Sequence, residues 1–114
     1  MAGQTDALFD LSGRVAVLTG GGSGLGREFC DVLAEFGADI FCPDLYKERA
    51  EGTCEMIKRH GRRTMAMGVD VSKYDEVKAM FNHLEKTWGR LDILVNNAGA
   101  TKVRPILHEM DVMN

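Results

Sequence analysis

Two rhythms of apolar residues alternate along this chain. Residues 14–19 (RVAVLT) are a short, β-branched, largely apolar run that meets Gly20, Gly21 and Gly22 at once. A nearly continuous apolar strand suits a parallel sheet covered on both faces. Leu25, Phe29, Val32, Leu33 and Phe36 then recur at helical spacing, and Gly37 stands where a helix end favours a residue free to take positive φ. The first helix is therefore expected over 24–36. A second strand is expected at 39–43 (DIFCP), terminated by Pro43, which has no N–H for a ladder. A second helix follows over 47–60, with Ala50, Thr53, Cys54 and Ile57 inward and Gly61 at its end. Residues 63–69 read as a third strand. Ser72 and Asp75 make the Ser-x-x-acid pattern that opens a helix, whose stripe is Val77, Met80, Phe81, Leu84 and Trp88 before Gly89. Residues 91–96 (LDILVN) are the fourth strand, and 106–113 have the pattern of a further helix start.

The order is β-α-β-α-β-α-β with short connections, which implies an α/β fold with a parallel sheet and right-handed crossovers. Two helices are expected on one face and the third on the other. The chain shows no repeat, linker or low-complexity tract, and 1–114 read as one domain. The outer edge of the fourth strand and half of one face are expected to lack partners within 114 residues, an aggregation hazard that predicts marginal stability for the chain in isolation.

Composition narrows the function classes. Of the 114 residues, 45% are apolar and 27% charged, the balance of an ordinary globular domain. The formal net charge of −3 argues against a nucleic-acid partner. No apolar run approaches the length of a membrane span, and residues 1–10 lack the apolar core of a secretory signal. Cys30, Cys42 and Cys54 contain no Cys-x-x-Cys pair, so buried thiols in a reducing cytoplasm are expected rather than disulfides or a metal site. His60, His83 and His108 have no ligand spacing and read as surface residues.

The candidate chemistry lies at the first strand–helix junction. In Thr19-Gly20-Gly21-Gly22-Ser23-Gly24-Leu25-Gly26 the absence of side chains lets backbone approach a diphosphate and lets the helix pack tightly on the strand. The helix N-terminus adds unpaired N–H groups and partial positive charge. No Gly-Lys-Ser/Thr ends the loop, which argues against an ATP-type site. Asp44, 24 residues after Gly20, ends the second strand. A carboxylate there accepts hydrogen bonds from the adenosine ribose and repels a 2′-phosphate. Leu45 and Ser23 are not basic, which favours NAD over NADP, although Lys47 and Arg49 are close in sequence.

The pattern Thr-Gly-x-x-x-Gly-x-Gly over 19–26 resembles that of the short-chain dehydrogenase/reductase family. So do Asp70-Val71 after the third strand and Asn96-Asn97-Ala98-Gly99 after the fourth. The flanking Leu11-Ser12-Gly13-Arg14-Val15 and Trp88-Gly89-Arg90-Leu91-Asp92 are similar to the family as well. The resemblance implies a Rossmann-type doubly wound parallel sheet, incomplete at its C-terminal end, and an NAD-dependent enzyme that interconverts an alcohol and a carbonyl. It implies that Gly20, Ser23, Gly24, Leu25 and Gly26 hold the diphosphate and that Asp44 holds the ribose. Asp70 and Val71 would contact the adenine, and Asn97, Ala98 and Gly99 would line the coenzyme. It also implies a small alcohol or carbonyl substrate and a homo-oligomer at full length.

The family's catalytic Ser, Tyr and Lys follow the Asn-Asn-Ala-Gly motif, and only fifteen residues follow Gly99, so the chain is expected to be the coenzyme half of a longer enzyme. Tyr74 and Lys78 have the Tyr-x-x-x-Lys spacing, but they precede that motif and read with Asp75 and Glu76 as a solvated helix face. Asn114 lies too near the start of its helix to match a family asparagine. The alternative reading is a non-catalytic dinucleotide-binding or redox-sensing module, which needs the glycine bend and Asp44 but no tyrosine.

Overall fold

A computed structural model describes residues 9–97. Within it, β1 (Val15–Thr19), α1 (Gly24–Glu35), β2 (Asp39–Asp44), α2 (Lys47–Ile57), β3 (Thr64–Gly68), α3 (Tyr74–Thr87) and β4 (Ile93–Asn96) follow in chain order. A single 3-10 turn, Lys58–His60, extends α2. The four strands form one parallel sheet in the order β3-β2-β1-β4. The direction of progression across the sheet therefore reverses between β1 and β4.

Every residue of β1 is buried because helices cover both faces of the strand. Ala16, Leu18, Ile40 and Cys42 pack with Cys30 and Ala34 of α1 and with Ala50, Cys54 and Ile57 of α2. Val15, Val17 and Phe41 point the other way and pack with Met80 and Leu84 of α3. The expected two-and-one distribution of helices is what the strand alternation produces. On the α3 face Leu94 of β4 remains 39% exposed.

Two boundaries differ from the sequence reading. Pro43 does not terminate β2: the strand runs through it to Asp44, paired with β3 at Pro43–Met67 and Asp44–Gly68. Pairing of β2 with β1 is registered only from Asp39 to Phe41, and the Pro43 carbonyl accepts from Gly20 N–H on that same side. The missing N–H faces this side, so the pairing with β1 lapses after Phe41 and resumes only with the Gly20 bond, while pairing with β3 carries the strand on to Asp44. The expected Ser72–Asp75 cap is also replaced. Lys73 is the N-cap of α3 without a side-chain bond, Ser72 donates to Asp70 Oδ1, and Glu76 accepts from Asp70 N–H. The 106–113 helix and His108 lie outside the described residues.

His60 is not a free surface residue. Its Nε2 lies 2.8 Å from Asp31 Oδ1, and Arg59 grips both oxygens of the same carboxylate. This cluster ties the end of α2 to α1. The His60 hydrogen bond, opposed by burial and assisted by the Arg59 charge, holds the Asp31 carboxyl below its ordinary value of 3.8. A folded-state value below the unfolded one stabilises the fold fully above 3.8 and loses that contribution as pH falls through the depressed value. Asp31→Asn is therefore expected to cost about 1 kcal/mol at neutral pH and to flatten the acid limb of stability. Urea midpoints measured across that limb check this, and parallel wild-type and variant curves would contradict it.

Candidate functional site

The bend between β1 and α1 is held from three sides. From just past β4, Asn97 donates from its backbone N–H to Thr19 Oγ1 and from Nδ2 to the Gly20 carbonyl. Thr19 Oγ1 in turn donates to Asn96 Oδ1, which closes the C-terminal ends of β1 and β4 on each other. From β2, Asp44 Oδ2 accepts from Gly22 N–H at 2.9 Å, while its Oδ1 accepts from Tyr46 N–H. From α2, Thr53 donates to the Gly21 carbonyl and Arg27 of α1 donates to the Gly22 carbonyl.

Two glycines are required by close approach. A Cβ on Gly26 would lie 2.1 Å from the Gly20 carbonyl oxygen and 2.7 Å from Asn97 Nδ2. A Cβ on Gly22 would lie 2.5 Å from Arg49 Cβ and 2.6 Å from Asp44 Oδ2. The first contact fixes the helix against the strand end; the second lets the bend sit on the Asp44 carboxylate. Ser23 takes the N-cap position with φ −160° and makes no side-chain cap bond, and no acidic residue stands in the first turn of α1. The leading N–H groups of α1 thus receive neither an N-cap side-chain oxygen nor a first-turn carboxylate, and helix geometry leaves them without intrahelical partners.

Of the residues singled out by sequence, Gly20, Ser23, Gly24, Leu25, Gly26, Asp44 and Asn97 come together at this bend. Asp44 is only 7% exposed and acts as a strut of the bend. Asp70 and Val71 belong to the loop after β3, which β2 carries alongside through a Val69 N–H bond to the Asp44 carbonyl. The Asp70 carboxylate is engaged by Ser72, whose hydroxyl and backbone bonds hold it below the ordinary carboxylate value. Val71 lines a small apolar cavity of about 30 Å³ with Thr19, Leu94 and Asn96, adjoining the α3 residues Val77, Met80 and Phe81. Ala98 and Gly99 lie outside the described residues, as does Asn114. Tyr74 is 74% exposed on the first turn of α3.

The sequence reading assigned no role to Thr19, Arg27 or Thr53. Thr53 was legible only as an inward position of α2, and its polarity in an otherwise apolar stripe was the available signal. Lys47 and Arg49 flank the site from the first turn of α2, where the Arg49 guanidinium stacks 4.5 Å over the Tyr46 ring. Beneath the bend, Cys30 and Cys42 are buried together; hydrogen bonding to Cys30 and burial raise the Cys42 thiol well above its usual value. Burial pushes Cys54 up to about 11. All three cysteines are free and buried, and Cys42 and Cys54 stay protonated at neutral pH, inert packing groups rather than nucleophiles.

A parallel sheet whose order reverses beside a glycine bend, with a carboxylate at the end of the adjacent strand, defines the Rossmann-type class of α/β proteins. Residues 14–113 match the short chain dehydrogenase family, and the chain belongs to it. A 3beta-hydroxysteroid dehydrogenase 2 of Eggerthella lenta is 36% identical over 101 residues, which cover 89% of this chain and 39% of that protein. Among solved structures, hydroxysteroid dehydrogenase from Escherichia coli superimposes with a TM-score of 0.78 at 32% identity, over 83% of this chain and 40% of that one. Carveol dehydrogenase from Mycobacterium avium, in complex with NAD, gives 0.74 at 31% identity, over 79% of this chain and 37% of that one. The chain spans 32% to 39% of the length of the first curated relatives it matches. No helix among the described residues is long and apolar enough to cross a membrane.

Proposed function

We propose that this chain holds NAD and forms the coenzyme-binding part of an oxidoreductase that interconverts an alcohol and a carbonyl. One observation carries the reading: a buried carboxylate at the end of β2 reaches the glycine bend itself, where Asp44 Oδ2 accepts from Gly22 N–H. That geometry joins an anion-receiving helix start to an acceptor suited to ribose hydroxyls. The family and the NAD complex of carveol dehydrogenase support it.

In this reading the backbone of Gly20, Ser23, Gly24, Leu25 and Gly26 receives the diphosphate. Asp44 has lone pairs beyond the two backbone bonds it accepts, and these take the ribose hydroxyls. Asp70 and Val71 border the adenine, and Asn97, Ala98 and Gly99 line the remainder of the coenzyme. Nicotinamide supplies the hydride acceptor or donor when bound. The small alcohol or carbonyl substrate and the proton-transfer groups belong to the complete enzyme, a homo-oligomer of the cytoplasm.

Titration with NADH, followed by energy transfer from Trp88, tests the reading. Saturable binding is expected, with NADPH at least about 10-fold weaker because its 2′-phosphate meets the Asp44 carboxylate. Absence of binding to either coenzyme would overturn it.

A further inference from the structure

The three-part contact between α1, α2 and the bend has a direction. Arg27 Nε donates to Thr53 Oγ1 at 2.9 Å, and the Thr53 hydroxyl donates in turn to the Gly21 carbonyl at 2.7 Å. The other arm of the same guanidinium donates from Nη2 to the Gly22 carbonyl at 2.8 Å. One planar fork therefore fixes two consecutive carbonyls, one directly and one through a hydroxyl that can both accept and donate. Thr53 is completely buried, so the relay cannot exchange its partners for water.

Room for the fork is built into α2. Gly52 sits inside that helix, where glycine is unfavourable relative to alanine. A Cβ at this position would stand 3.2 Å from Arg27 Nη2. The arrangement spends a poor helix former and a buried hydroxyl on the orientation of two peptide groups.

Those peptides belong to the segment that a diphosphate must approach. A carbonyl oxygen turned toward a phosphate repels it, whereas one committed to Arg27 or Thr53 cannot turn. We propose that Arg27 and Thr53 are positioning residues for the diphosphate: they hold the Gly21 and Gly22 carbonyls against the α1–α2 contact so that the amide face of the bend and the start of α1 stay preorganised for anion binding. The inference rests on the coenzyme reading above and deepens it. Neither side chain needs to touch the ligand, and the arginine acts by its fork rather than by charge alone.

The test compares ADP, which carries the diphosphate, with adenosine, which does not, as competitors of NADH in wild type, Thr53→Val, Thr53→Ser and Arg27→Lys. Thr53→Val and Arg27→Lys are expected to weaken ADP about 10-fold and adenosine less than about 2-fold, the size of one lost hydrogen bond's worth of preorganisation. Thr53→Ser, which keeps the hydroxyl, restores wild-type ADP binding. Lysine keeps the positive charge but replaces the planar Nε/Nη2 fork by a single flexible donor atom, so wild-type behaviour of Arg27→Lys overturns the geometric claim. Parallel loss of ADP and adenosine also overturns it, since a merely structural role weakens both. If Thr53→Val does not fold, Arg27→Lys and the serine variant decide the matter by the same ratio. Wild type that binds neither NADH nor ADP overturns the coenzyme reading and this inference with it. Binding that is wild-type in every variant overturns this inference alone.

Discussion

Gly26→Ala is expected to destabilise the fold by about 3 kcal/mol and to abolish measurable coenzyme binding. The added methyl would lie 2.1 Å from the Gly20 carbonyl oxygen and 2.9 Å from its carbon, with Asn97 Nδ2 at 2.7 Å. None of these can retreat cheaply. Gly20 is held by its N–H bond to the Pro43 carbonyl and by the Asn97 bond to its own oxygen. The first turn of α1 must then move off the strand end, and its leading N–H groups move with it. Gly61→Ala is the control: its φ of 75° disfavours a side chain, but nothing lies within 4 Å of the new methyl. That variant is expected to lose only about 1 kcal/mol and to bind coenzyme normally. Urea unfolding and NADH titration of both proteins provide the comparison. Equal stabilities for the two would remove close approach as the reason for glycine at 26.

The contrast between these positions also marks how far the sequence could be read. Strand, bend and helix at 14–36 were legible because apolar periodicity and glycine punctuation report local backbone needs. Asp44 was legible because its place at a strand end follows from the same periodicity. Pro43 misled because its missing N–H interrupts only the β1 edge of β2, while the pairing with β3 carries the strand past it to Asp44. Ser72 misled because Asp70 competes for its hydroxyl and N–H at 2.6 and 3.0 Å, leaving the cap position to Lys73. His60 was misjudged, and the bonds of the correctly inward Thr53 were missed, for one shared reason. Each finds its partner 26 or more residues away, Asp31 for the one and Arg27 for the other, and no local pattern announces a contact between two helices. What periodicity shows is which residues face inward; it does not show which of them meet.

Asp44→Ala is expected to weaken NADH about 100-fold while leaving NADPH nearly unchanged, so that discrimination between them collapses. The ribose loses a charged acceptor worth about 1.5–3 kcal/mol per hydrogen bond, whereas a 2′-phosphate loses a repulsive neighbour. The structure adds a second consequence that the sequence did not suggest. Removing the carboxylate leaves the buried N–H of Gly22 and that of Tyr46 without their acceptor, which costs about 1–3 kcal/mol of stability. These effects have different signatures. Loosening of the bend weakens both coenzymes by the same factor, because both present the same diphosphate to it; loss of the ribose acceptor acts on NADH alone. Calorimetric titration of each coenzyme against wild type and Asp44→Ala, with urea unfolding of the same samples, separates the two. An equal loss for NADH and NADPH would make Asp44 a strut of the bend and nothing more, and the choice of coenzyme would then have to come from Lys47 or Arg49, the cations in the first turn of α2.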